Sequence, residues 1–215
     1  MPKSQYTSLG EMKKSSFFYT RIALFVERLE DRESLPELQP DSAWDTDLTD
    51  EITECSPIDL FMPVEVKNEK AAQAVKAGVL LWNDELSLSH DICQGLKTPE
   101  SSYIHGVMHR REGDYSNAKH WFAKAKNHPV ATKLFEKSTQ IGDDIVPATD
   151  QLSHYTSDLK GIGHWSPDSF VDWCESASQG NVDSTCLYFF KKLQIEEIRL
   201  LIDHCYQLSI GRPGS

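Results

Sequence analysis

The chain has 215 residues, a formal net charge of −11, and 26% charged against 39% hydrophobic side chains. That length supports one substantial packed domain, and an acidic balance with no basic stripe sets aside nucleic-acid binding through bulk electrostatics. The five cysteines, Cys55, Cys93, Cys174, Cys186 and Cys205, form no Cys-x-x-Cys and are too dispersed for a zinc ribbon or a disulfide framework, which points to a reducing, cytoplasmic setting.

Residues 15–29 are predicted to form an amphipathic helix with Phe18, Ile22, Phe25 and Leu29 on one face, docked on the main body. Its apolar run, Ile22 to Val26, is flanked by Arg21, Glu27 and Arg28 and is too short for a secretory leader. No segment approaches the roughly 20 apolar residues of a membrane span. The chain then turns acidic and proline-bearing, with Pro36, Pro40 and Pro57 and several aspartates between Asp41 and Asp50. The organisation expected is an N-terminal helix (1–30), an acidic linker or surface loop (31–62) and a helical domain (63–210).

Helices are predicted at about 68–82, 85–95, 101–112, 115–126 and 131–140. Gly113 suits a left-handed cap ending one of them, with Arg110 and Arg111 in its last turn at the negative end of the helix dipole. Asp114 caps the next, whose Ala118, Trp121, Phe122 and Ala125 fall at i, i+3, i+4 and i+7. Between residues 141 and 167 three glycines, two prolines and little apolar periodicity predict a long loop. Ser166-Pro167-Asp168 opens a further helix with Phe170, Val171, Trp173 and Cys174 on its apolar face. A last helix at about 184–208 carries Leu187, Phe190, Leu193, Ile198, Leu201, Ile202, Cys205 and Leu208. No alternating segment predicts a strand, so the class expected is all-α, built from antiparallel helix pairs.

Residues 102–129 resemble a single tetratricopeptide repeat. Gly106, Ala118, Phe122 and Ala125 match its small, small, aromatic, small spacing, and Gly113-Asp114-Tyr115 its turn. Pro129 falls one residue early, and His105 and His109 stand where that family carries leucine and tyrosine. The resemblance implies a tetratricopeptide-like hairpin presenting a small groove to a peptide or protein partner. A degenerate second copy over residues 69–96 follows from aligning Gly78 with Gly106. More broadly, the run Leu80-Leu81-Trp82-Asn83-Asp84-Glu85-Leu86, Ser89-His90, Tyr103-Ile104-His105 and Met108 to Tyr115 is similar to a family of uncharacterised bacterial and fungal proteins that brings no established activity.

Two chemistries compete for this hairpin. His105, His109 and Glu112, at i, i+4 and i+7, lie within about 60° on one helix face. With His90 or an acid from residues 141–150 they make a candidate site for a divalent transition metal. The His-Glu-x-x-His pattern of zinc peptidases is absent, and the plainer reading is a pair of core histidines bonded to Glu112, Asn117 or backbone. Arg110 shares a side with Tyr103 and Gly106, where it would meet a small anionic ligand, unless it pairs with Asp114. Arg111 leans toward an internal salt bridge. Trp82 reads first as core, and Asp84 as a helix cap or a group facing the same cleft as His105. The expected functions are therefore a soluble interaction module with a polar groove, or a metal-dependent or acid/base enzyme acting through His105 and His109.

Overall fold

The computed structural model describes residues 20–213. Among them are ten α-helices, a short 3-10 turn (Asp59–Phe61) and no strand: α1 Arg21–Glu30, α2 Thr46–Glu54, α3 Glu69–Trp82, α4 Leu86–Gly95, α5 Pro99–Glu112, α6 Tyr115–Ala125, α7 Val130–Asp144, α8 Asp150–Ile162, α9 Pro167–Ser178 and α10 Ser184–Ser209. Local chemistry sets most boundaries. Thr20, Asp45, Asn68, Thr98, Asp114, Thr149, Ser166 and Asp183 each accept a hydrogen bond from a backbone N–H two or three residues into the helix that follows, satisfying a donor that the helix itself cannot. Gly113 ends α5 with φ 80°, a left-handed conformation that a residue without Cβ adopts without strain.

Helices α3 to α6 follow one another as hairpins joined by turns of two or three residues. In α5–α6 the approach is closest at Gly106, where a Cβ would stand 2.8 Å from the Phe122 ring. Gly78 in α3 is met instead by Ile202 of α10, so the upstream hairpin is filled from outside itself. The 26-residue α10 carries two packing faces in succession. Phe189, Phe190 and Leu193 pack with Leu134, Leu152, Leu159, Phe170 and Trp173 of α7 to α9. Ile198, Leu201, Ile202 and Cys205 pack with α3 to α6. No helix among the described residues is long and apolar enough to cross a membrane.

Over the described residues the N-terminal helix docks as expected, and two other sequence expectations are revised. The part of the predicted N-terminal helix before residue 20 lies outside the described residues, but Ile22, Phe25, Val26 and Leu29 of α1 are buried in the same core as α3. The acidic segment 31–62 holds α2, whose Leu48 and Ile52 are fully buried in that core, so its acidic residues are the outer face of a packed helix. The loop expected over 141–167 contains α8, anchored by the buried Leu152 and Leu159 and by the half-buried Tyr155 against Trp173 and Phe190. That stripe keeps helical spacing but is thin, set among Ser153, His154, Thr156, Ser157, Asp158 and Lys160.

Candidate metal centre

His105 and His109 project from consecutive turns of α5, and the middle of α4 brings His90 against both. One ligand atom from each of the three lies within 4.8 Å of those of the other two. His105 sits at the centre. Its ring stacks on Trp121 of α6 at a centroid distance of 3.9 Å and on His109 at 4.8 Å, and the edge of His90 meets it at 4.6 Å. The Lys124 ammonium covers Trp121 at 3.7 Å, a cation–π contact that continues the stack. These contacts fix the imidazole planes. Around a tetrahedral zinc ion bonded at 2.0–2.1 Å the nitrogens would stand about 3.4 Å apart, so the rings would have to turn out of this stack to ligate one ion.

The hydrogen bonds divide the roles. His105 is 1% exposed, and neither of its ring nitrogens has a partner among the described residues. Burial, and next the neighbouring His109, hold its pKa down to about 3, which keeps it neutral with a lone pair available. His109 Nδ1 lies 3.1 Å from a Glu112 carboxylate oxygen, and the Asn117 amide lies 3.1 Å from its Nε2. A carboxylate on Nδ1 holds the proton there and turns the Nε2 lone pair inward. Glu112 thus orients His109 and is not one of the three residues whose ligand atoms gather here; a metal on Nε2 would take the place of the Asn117 contact. His109 is also shifted toward neutrality by burial, partly offset by Glu112. His90 and Glu112, with side chains 29% and 39% exposed, are the solvent-facing members.

The arginines go elsewhere. Arg110, read from the sequence as facing a groove, is buried and pairs with Glu197 of α10 at 2.6 Å, not with Asp114. Glu197 also accepts a hydrogen bond from the Tyr103 hydroxyl at 3.0 Å, which in turn accepts one from Trp165 Nε1 at 3.1 Å. The Arg110 guanidinium lies over Phe170 at 4.3 Å. Burial acts to lower its pKa, but Glu197 outweighs that and the net shift is upward, so it stays charged. Arg111 is buried against Asp84, an internal salt bridge that Arg32 extends by reaching the other Asp84 oxygen at 2.6 Å. Trp82 is buried in the core. Tyr103, Arg110, Arg111 and Asp84 are thereby joined into two interior networks, and Asp84 does not share the histidine cluster.

A second cluster, unforeseen from the sequence, joins Glu100, His128 and His204, whose ligand atoms likewise lie within 4.8 Å of one another. Its members come from α5, the α6–α7 junction and α10, and no local spacing links them. Beside it lies a cavity of about 600 Å³ between α6, α7 and α9, lined in part by Tyr103, His128 and Trp165. No family model, curated protein or solved structure matches this chain. Function therefore rests on the chemistry of these side chains.

Proposed function

We propose that the protein binds a divalent transition metal through His90, His105 and His109. The observation that carries this reading is His105, a buried imidazole with two unpartnered nitrogens set against two further imidazoles. A buried polar group left unsatisfied costs about 1–3 kcal/mol, and a metal bond would satisfy one of these nitrogens. Imidazole sets of this kind suit zinc, copper, iron and nickel. Three protein ligands leave one position of a tetrahedral ion to water or substrate, as catalytic zinc sites do. Approach would come from the side of His90 and Glu112, so a metal-dependent enzyme acting on a small polar substrate is the activity this centre supports best. Arg110, held by Glu197, takes no part in orienting that substrate.

The test is metal analysis and cobalt titration of protein purified without a histidine tag. A tightly held ion with the visible spectrum of nitrogen-ligated cobalt, lost in His105→Ala and His109→Ala at unchanged helicity, is the expected result. Unchanged cobalt binding in both variants would leave the three histidines as packing residues.

The α5–α6 hairpin favours a second reading, a tetratricopeptide-like interaction module. Gly106 closing on Phe122, buried Ala118 and Ala125 and the Gly113 turn support it. A peptide or protein partner would then meet the outer face of α6, because α5 is buried from Tyr103 to Arg111. A partner captured equally by native and metal-stripped protein would favour this reading. Five free, buried cysteines support a reducing, cytoplasmic setting for either.

A further inference from the structure

The second cluster shares no residue with the three histidines and sits on another part of α5, since Glu100 and His105 are separated by about 140° around the helix. His128 and His204 are each 3% exposed, and the Glu100 side chain 17%. His204 Nε2 stands 3.7 Å from Glu100 Oε1, and the His128 ring lies 4.8 Å from that of His204, centroid to centroid. Two imidazoles and a carboxylate are therefore brought together by three separate elements in a nearly closed interior. His128 Nε2 is buried with no hydrogen-bond partner among the described residues.

The backbone that delivers His128 is itself unusual. Lys126, two residues before it, has φ 54° and ψ −141°, a region that side-chain-bearing residues rarely adopt. That bend turns the chain out of α6 so that His128 enters the interior before Pro129 starts α7. The ring also meets Tyr103 at 5.1 Å and lines the cavity shared with Phe122, Phe135 and Trp165.

We propose that Glu100, His128 and His204 form a second site for a divalent metal of the zinc class, with its open coordination position toward the cavity between α6, α7 and α9. Two histidines and one glutamate are the donor set of zinc centres that keep a water or substrate position. The protonation states fit: burial and the adjacent His204 hold His128 down to about 4, so it is neutral. Glu100 is raised by burial but lowered more by hydrogen bonds from His204, its own backbone and Thr98, to about 2, so it is a carboxylate. Ligation through His128 Nε2 places the ring proton on Nδ1 and gives up the long 3.4 Å contact that the Val130 amide makes there. The aromatic walls would admit a small molecule with a flat apolar body and an oxygen or nitrogen donor for the metal.

Cobalt stoichiometry, measured on the full chain, separates this site from the three-histidine one. Two equivalents are expected for the native protein, one for His128→Gln and one for His105→Ala, with Glu100→Gln binding the second ion at least tenfold more weakly. Benzohydroxamate, a flat metal chelator, is expected to shift the cobalt spectrum of His105→Ala. If the native protein binds one ion and His128→Gln still binds it, this second site is overturned while the three-histidine centre stands. If the native protein binds one ion that His105→Ala retains and His128→Gln loses, the second site stands and the first falls. Should His128→Gln fail to fold, the His105→Ala protein decides alone: one bound cobalt supports the site and none overturns it.

Discussion

Arg110 and Glu197 meet at 2.6 Å with side chains 1% and 0% exposed, 87 residues apart in the chain. The pair ties α5 to the middle of α10, close to the point where that helix passes from one core cluster to the other. Attraction between buried charges is strong, but so is the desolvation it must offset, and the two largely cancel. Removal of one partner does not cancel. Glu197→Ala strands a buried guanidinium and the Tyr103 hydroxyl, and should destabilise the fold by about 3–5 kcal/mol. The double variant Arg110→Met, Glu197→Leu should cost less than Glu197→Ala. Urea denaturation of the three proteins checks this, and a single variant within about 1 kcal/mol of native would show that the pair is tolerant of loss.

What the sequence disclosed and what it concealed divide along chain distance. The α5–α6 hairpin was legible because Gly113, Asp114 and the Ala118–Phe122–Ala125 stripe act on their immediate neighbours. The His105–His109 pair was legible for the same reason, since helical spacing alone puts both on one face. Arg110 was misplaced because its partner is on α10, and nothing in a helical wheel names a residue 87 positions away. The Glu100–His128–His204 cluster was missed for the same reason. Helix α8 had a signal that went unused: Thr149 caps its start and Gly163 its end, in the left-handed conformation. The 13 residues between those caps carry only a thin apolar stripe, Leu152, Tyr155 and Leu159 at i, i+3 and i+7.

In the proposed three-histidine centre, Glu112 is the carboxylate that orients His109. Glu112→Gln should therefore retain the metal stoichiometry while weakening affinity by about 10–100-fold, the usual effect of removing such an orienting carboxylate. Trp121, stacked on His105 at 3.9 Å, supplies the readout. In a His128→Gln background, which removes the proposed site beside Trp165, copper(II) or cobalt(II) bound at His105 should quench the Trp121 fluorescence, and adding Trp121→Phe should abolish most of the metal-dependent change. Quenching that survives Trp121→Phe would place the bound ion elsewhere.

Metal-stripped protein should lose stability in acid over a defined window. His105 titrates at about 3 and His128 at about 4 in the folded state, against an ordinary value of 6.5 in the unfolded chain. Above pH 6.5 both states are neutral and the contribution is fully present. As pH falls below 6.5 the unfolded chain takes up protons that the fold refuses, so stability declines until about pH 4 for His128 and about pH 3 for His105. Glu100, depressed from 4.5 to about 2, adds the same sign below pH 4.5. Each group contributes at most about 1.4 kcal/mol per pH unit within its window. Denaturation midpoints in chelator between pH 7.5 and 4.5 should fall steadily, and His105→Gln should flatten the slope. A flat profile in the native protein would mean that these imidazoles are hydrated in the fold.

The bend at Lys126 is the last point of strain with a direct test. Its side chain is exposed, yet its φ of 54° and ψ of −141° belong to a region that glycine enters freely. Holding a residue with a Cβ there costs about 1–3 kcal/mol, whereas glycine adds about 0.5–1 kcal/mol of unfolded-state entropy to be lost on folding. Lys126→Gly should therefore stabilise the protein by about 1 kcal/mol, roughly 2–4 °C in Tm for a chain of this size. Because the bend exists to carry His128 inward, metal stoichiometry should not change. A fall in Tm would show that the Lys126 side chain makes a contact worth more than the strain, and a lost equivalent of cobalt would show that the bend needs the stiffness of a residue with a Cβ to hold His128 in place.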